Sequence, residues 1–362
     1  MRASKWILSS MIACAIYFVG GCSGESDGRS DTTSEVIGTS GEAQFNLLVR
    51  ELYDSIESHW DGEAGWMNYS SGLDVRYQES ITFLLFMDST YGTNNKSKIV
   101  SSIKYSLEYL QDGTGAFYIE GDLGYVRTSL YIVGMLKAIE VYPEIVLEVP
   151  NIEESIKSAA NWIISVEKEW GGNHQIFGLI AFELLTRRYN DVAYSSQIAR
   201  IKFNLVSDFV HVNDEMGYFP EGPKEWDNRL LMPIVQTQIM ATGFYLSLTD
   251  DSDMKLLLEK TIRSFVHYFD SSSLRIDITD SYDFGNKYQP LGVHTIPIEV
   301  PSVLLYSCLY IGEYCDLIDE AAEIKLLHDN MRDNFVRDNY LTLFTDPYYR
   351  FAVMETIFNK ES

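Results

Sequence analysis

Two kinds of helical segment alternate along the chain. Amphipathic stretches, apolar on one face at 3.6-residue spacing, run near 43–60, 95–111, 152–169, 192–212, 252–269 and 317–336. Each gives way to a polar loop rich in Gly, acids and aromatics, such as Asp61-Gly62-Glu63-Ala64-Gly65-Trp66, Asp112-Gly113-Thr114-Gly115-Ala116-Phe117 and Asp214-Glu215-Met216-Gly217-Tyr218-Phe219. A second segment, apolar nearly all round, follows near 73–90, 124–141, 173–188, 227–248, 293–313 and 346–359. A helix apolar on every side belongs inside a double layer, with the amphipathic ones outside. The pairs recur at roughly fifty-residue intervals, an internal repeat, and period-2 alternation is weak. The pattern predicts an all-α fold, an (α/α)6 toroid of six helical hairpins over 43–362. The alternative is an open solenoid of helix pairs, whose ends carry polar caps. The last helix, containing Tyr349, Phe351, Val353, Ile357 and Phe358, is instead apolar, so ring closure onto the first outer helix is expected to cover it. The fifth loop, about 270–292, is the longest, and its length suggests a lid.

Before residue 43 the pattern changes. Met1, Arg2 and Lys5 precede an apolar run from Trp6 to Phe18, the layout of a secretory signal and too short for a confident membrane span. The run ends in Val19-Gly20-Gly21-Cys22, which resembles the lipobox of bacterial lipoproteins. The resemblance implies removal of 1–21 and lipidation of Cys22, with the acyl chains as the contact with the membrane. Ser23, where inner-membrane retention usually has Asp, implies an outer-membrane lipoprotein, periplasmic or on the cell surface. An ordinary cleaved signal with an incidental cysteine is the alternative. Residues 22–42 hold Gly, Ser, Thr and acids with little to bury, and are expected to form a flexible tether.

A formal charge of −24 argues against nucleic acid as a partner, though it leaves room for a local basic pocket. Cys308 and Cys315 lie about 10 Å apart along a helix, too far for a disulfide, and read as small buried hydrophobes. The spacing of a metal or cofactor site is missing from the sequence, so none is expected, and the chain reads as a monomer.

The candidate chemistry sits where the inner helices begin. Aligned by their entry loops, the six starts read Asp74-Val75-Arg76-Tyr77, Tyr125-Val126-Arg127-Thr128, Gly172-Asn173-His174-Gln175, Asp227-Asn228-Arg229-Leu230, Gly292-Val293-His294-Thr295 and Tyr348-Tyr349-Arg350-Phe351. In a toroid these points ring the mouth of the central cavity. Arg76, Arg127, His174, Arg229, His294 and Arg350 would then form a basic funnel for an anionic ligand. A cation at a helix N-terminus opposes the macrodipole, so each needs a compensating ligand or a structural carboxylate such as Asp74, Glu79 or Asp227. Aromatics crowd the same loops, among them Trp66, Tyr77, Tyr218 and Trp226. They suit stacking against a sugar chain, and equally the sealing of loops onto helices.

The segment Trp170-Gly171-Gly172-Asn173-His174-Gln175-Ile176-Phe177-Gly178 resembles the Asn-His inner helix of toroid polysaccharide lyases of the alginate-lyase and heparinase-like group. The hairpin from Asp214 to Gly222, with Leu231-Met232-Pro233, is also similar, so the motif-level likeness covers about 170–235. The resemblance implies β-elimination on an acidic polysaccharide, with Asn173 neutralising a uronate carboxylate and His174 assisting proton removal. The family's acid/base tyrosine belongs near Asn228, where this chain has Arg229; Tyr218, Tyr282 and Tyr288 are the substitutes in reach. Arg76, Tyr77, Arg127, Trp66, Trp226, Arg229, His294 and Arg350 would bind substrate. Two other classes stay open. A six-hairpin glycoside hydrolase would use paired carboxylates from the same loops, drawn from Asp61, Glu63, Glu120, Asp122, Asp214, Glu221, Glu225, Asp280 and Asp283. A glycan-binding lipoprotein would use none.

Overall fold

The computed structural model describes residues within 53–297, apart from 55–56, 68–74, 79, 118–123, 167–171, 173, 221–231, 271–274, 278–281, 284–288 and 291–294. The first described pair of strands, β1 (Trp60–Asp61) and β2 (Trp66–Met67), forms a short hairpin. Of the first inner helix the described parts are α1 (Val75–Gln78) and α2 (Ile81–Tyr91). Next come α3 (Lys96–Tyr109), α4 (Gly124–Val141), the single turn α5 (Ile145–Glu148), α6 (Ile152–Val166), α7 (His174–Tyr189) and α8 (Val192–Asp208). The hairpin β3 (Val210–His211) with β4 (Gly217–Tyr218) leads on to α9 (Met232–Leu248) and α10 (Ser252–His267).

The layering follows from side-chain pattern. In α6, Ile152, Ile156, Ala159, Ala160 and Ile163 are buried, while Glu154, Lys157 and Asn161 face out. Each fully buried isoleucine contributes about 1.5–3 kcal/mol, enough to fix which face turns inward. In α4, by contrast, every residue from Tyr125 to Leu136 is buried. That leaves no free face, and α4 packs between α2 and α7, with α6 behind it. The inner helices touch in chain order, α2 to α4 to α7 to α9, and each packs on the amphipathic helix that follows it: α2 on α3, α7 on α8, α9 on α10. Small residues set the spacing. A Cβ on Gly178 of α7 would lie 2.1 Å from the Tyr125 hydroxyl of α4, and one on Gly134 would lie 3.0 Å from Ile81.

The two ends of this assembly differ. Inner-to-outer turns are short and closed by polar side chains. Asp191 and Asp251 cap α8 and α10 by accepting the Ala193 and Met254 N–H groups. Asp88, at the end of α2, accepts from Thr93, from the Asn95 backbone and side chain, and from the Tyr142 hydroxyl at 2.7 Å. Lys96 bridges Glu144 and Glu148, Arg188 pairs with Glu153, and Lys202 meets Asp251 at 2.6 Å. These ion pairs join one hairpin to the next at the short-turn end.

Outer-to-inner loops, at the other end, are long and share one device. Asp61 Oδ1 accepts the Glu63 and Ala64 N–H groups. Asp112 Oδ1 accepts those of Thr114 and Ala116, and Asn213 Oδ1 those of Glu215 and Met216. These Asx turns close the hairpins β1–β2 and β3–β4 and the bridge between Gln111 and Phe117.

Residues 269–297 depart from the expected helix and loop. Strands β5 (Phe269–Asp270), β6 (Arg275–Asp277) and β9 (Thr295–Pro297) form a small antiparallel sheet, and β7 (Tyr282–Asp283) pairs with β8 (Gln289–Pro290). The inner helix expected from 293 therefore does not begin there. Pro297 and Pro301 explain why: each removes a backbone donor and clashes with the preceding turn, about 3 kcal/mol apiece inside a helix. Among the described residues no helix is long and apolar enough to cross a membrane. The signal segment, Cys22, the tether, the helices expected near 317–336 and 346–359 and the closing contact lie outside the described residues.

Candidate functional site

The long-loop end gathers the third and fourth hairpins around two of the residues singled out by sequence. His174 is the first residue of α7, and the turn ahead of it passes through Gly172 at φ +52°. A Cβ there would sit 1.7 Å from the Pro220 carbonyl oxygen, so the turn lies directly on the segment that continues β4. That segment, Tyr218-Phe219-Pro220, is buried and held from two further sides. Gln238 of α9 accepts the Phe219 N–H at 3.3 Å and donates to its carbonyl at 2.6 Å. Ser264 of α10 donates to the Gly217 carbonyl at 2.9 Å. Three separate elements thus fix one short strand beside the start of α7.

Both titratable groups are neutral at pH 7. Burial pushes His174 down to about 4, consistent with a position at a helix N-terminus, where added positive charge is opposed. Burial pushes the Tyr218 phenol up to about 12, with Tyr268 adding to the rise. An uncharged imidazole can accept a proton and an uncharged phenol can give one, and both shifts make the transfer harder than at an unperturbed group.

The other candidates distribute unevenly. Arg127 lies in the first turn of α4, only 6 % exposed, within the inner layer. Arg76 and Tyr77 fall in α1, with side chains outside the described residues. Trp66 does not stand alone in the loop: its ring stacks on Tyr105 of α3, an outer helix, at 4.7 Å and 13°. Asn173, Trp226, Arg229, His294 and Arg350 lie outside the described residues, as does Tyr288, and so do the side chains of Tyr282 and Asp283. Asp61 and Asp112, two of the carboxylates in the entry loops, are engaged in their own turns.

A shared hydrogen bond relates the second and fourth hairpins. Thr128, next to Arg127, accepts the Phe117 N–H at 3.1 Å through its hydroxyl. Gln238 performs the same service for Phe219 in the fourth hairpin. By that equivalence Thr237 of α9 occupies the register position that Arg127 has in α4. The clamp residues Thr128 and Gln238 escaped sequence reading, although the recurring Gly-aromatic pairs they hold were visible. The third Asx turn is likewise set by Asn213, one residue before the loop start expected from sequence. Among the described residues no cluster of three or more His, Cys, Asp or Glu could hold a metal.

No family model matches the chain, and no curated protein matches its sequence. Solved structures do resemble it. Cellobiose 2-epimerase from Bacillus thermoamylovorans aligns with a TM-score of 0.55 at 11% identity, covering 80% of this chain and 88% of the epimerase. A D-mannose isomerase aligns at 0.53 and 12% identity over 88% and 87% of the two chains. The GH76 α-mannanase of Bacteroides thetaiotaomicron aligns at 0.52 and 11% identity, covering 88% of this chain and 99% of its own. The chain has the (α/α)6 toroid fold. At these identities the likeness establishes the fold alone, since one toroid hosts unrelated chemistries.

Proposed function

We propose that this toroid is a carbohydrate-processing enzyme that holds its saccharide at the long-loop end and acts by proton transfer at His174 and Tyr218. The observation that carries the reading is the packing of the Gly172 turn on Pro220, which joins a buried neutral imidazole and a buried neutral phenol through one rigid backbone contact. The similarity of the whole chain to a sugar epimerase, a sugar isomerase, an α-amylase and an α-mannanase supports the substrate class.

The finer reading is β-elimination on an acidic polysaccharide. Asn173 would neutralise the uronate carboxylate, His174 would take the C5 proton, and the bond from C4 to the glycosidic oxygen would break. Tyr218 would protonate the departing oxygen, leaving an unsaturated sugar. Arg76, Arg127 and Arg229 would hold the flanking acid groups. In the cell, the enzyme would hang from the outer membrane by a lipid on Cys22. A second reading, hydrolysis by paired carboxylates, is favoured by the similarity to the amylase and the mannanase.

One assay separates the readings. The purified domain is incubated with alginate, glycosaminoglycan, pectic and neutral polysaccharides, following ultraviolet absorbance and reducing ends together. Elimination raises both, and His174→Gln and Tyr218→Phe each lower the rate by at least about a hundredfold. New reducing ends without absorbance, undiminished in His174→Gln, would sink the proton-transfer reading and move the search to the carboxylates.

A further inference from the structure

Inner helix α7 carries a glycine one turn past His174, and a neighbouring helix takes the space beside it. A Cβ on Gly178 would lie 2.1 Å from Tyr125 Oη, so the phenol of α4 rests on the bare backbone of α7. Glycine weakens a helix interior relative to alanine, and here any side chain would displace the hydroxyl. Positions three and four apart on a helix are neighbours, and side chains lean toward its N-terminus. The place of a side chain at 178 is therefore flanked by those of His174 and Gln175. Cβ atoms four apart are separated by about 5–6 Å, which puts Tyr125 Oη about 3–8 Å from the His174 Cβ. An imidazole nitrogen and one hydrogen bond, direct or through a single buried water, cover that span.

All three residues are buried, and His174 Nδ1, Gln175 Oε1 and Tyr125 Oη are each shut off from solvent. A ring that only filled space against Gly178 would do so without its hydroxyl, whose burial is costly unless it is hydrogen-bonded. We propose that Tyr125 is a positioning residue for His174, holding the imidazole with its proton on Nδ1 and leaving Nε2 as the proton acceptor. The Gln175 carboxamide oxygen can only accept, so it takes the phenol proton and leaves Oη to accept from Nδ1–H. The hydrogen bond at one ring nitrogen then sets the state of the other. The proposal rests on reading His174 as the base of the site.

The test is nitrogen NMR of the purified protein, its histidines labelled with heavy nitrogen, at pH 7, where His174 is neutral. His174→Gln identifies the signal. The native ring is expected to carry its proton on Nδ1. Tyr125→Phe keeps the ring and loses the oxygen, and should move at least about half of the population to Nε2–H. Gly178→Ala, which keeps both polar residues but displaces the hydroxyl, should do the same. On a polysaccharide that the native protein processes, Tyr125→Phe should lower kcat at least about tenfold with KM held within about twofold. A native ring protonated at Nε2, or a tautomer unchanged in Tyr125→Phe, overturns the proposal. A Tyr125-dependent tautomer, with activity undiminished in His174→Gln, leaves the positioning standing and removes the base reading. Activity that needs His174, with a tautomer indifferent to Tyr125, does the reverse.

Discussion

At the scale of single residues, His174 carries a consequence for stability that needs no substrate. Its folded value lies near 4 against an ordinary 6.5, so the unfolded chain takes up a proton first as pH falls. The stabilisation from keeping this imidazole neutral is therefore complete above about 6.5 and is lost progressively between about 6.5 and 4. At 1.36 kcal/mol per pKa unit the loss is about 3 kcal/mol. Urea unfolding at pH 7 and pH 4.5 should show a steeper decline in the native chain than in His174→Gln. Equal declines would mean that the imidazole is not shielded in the folded state. Carboxylates contribute to both chains alike and cancel in the comparison. A close reading of sequence locates this histidine and its Gly-rich approach, but not the packing of that approach on Pro220, a residue of the next hairpin.

At the scale of elements, the decisive joint is Gln238 on the Phe219 peptide. One buried side-chain amide satisfies both polar groups of a buried backbone unit, and removing it strands the two. Gln238→Leu is expected to cost about 2–4 kcal/mol, since each orphaned group carries about 1–3 kcal/mol. It should also loosen the strand bearing Tyr218. Amide exchange at Phe219 is the direct readout: protection that survives in the variant would show that β3–β4 alone holds the segment. The helices themselves are well marked in sequence, with α3, α4, α6, α7, α8 and α10 within a few residues of their expected bounds. The departure has a local cause. The segment after α10 turns to strand, where Pro297 opposes the apolar pattern around it.

At the scale of the whole molecule, stabilising polar contacts and candidate chemistry occupy opposite ends. Asp251 illustrates the first. Burial alone would raise its carboxyl, yet Lys202, the Met254 N–H and Tyr245 outweigh that and hold it below the usual carboxylate range. Asp251→Asn, which removes the charge where α8, α9 and α10 meet, should destabilise by about 2–4 kcal/mol at pH 7 and leave saccharide binding unchanged. A depressed carboxyl stabilises above its ordinary value of 3.8, so the variant and native chains should converge at acid pH. Convergence of the two melting curves below pH 4, with equal ligand titrations at pH 7, is the expected pair of results.

The alternation of amphipathic and apolar helices is legible in the chain alone, because burial on one face or on all faces is written in residue spacing. So are the Gly- and acid-rich entry loops and the Asn-His helix start, which are local features a few residues long. Which loops meet, and so which side chains share a site, is settled only when the chain folds. The Gly172 turn reaches Pro220, Gln238 reaches back nineteen residues to Phe219, and Trp66 lies on Tyr105 of the outer layer. Of the six basic residues that align as a string, Arg229, His294 and Arg350 lie outside the described residues. Backbone contacts across hairpins, not position in the string, set the register. Those contacts depend on shape complementarity between segments distant in the chain, and no local pattern encodes that.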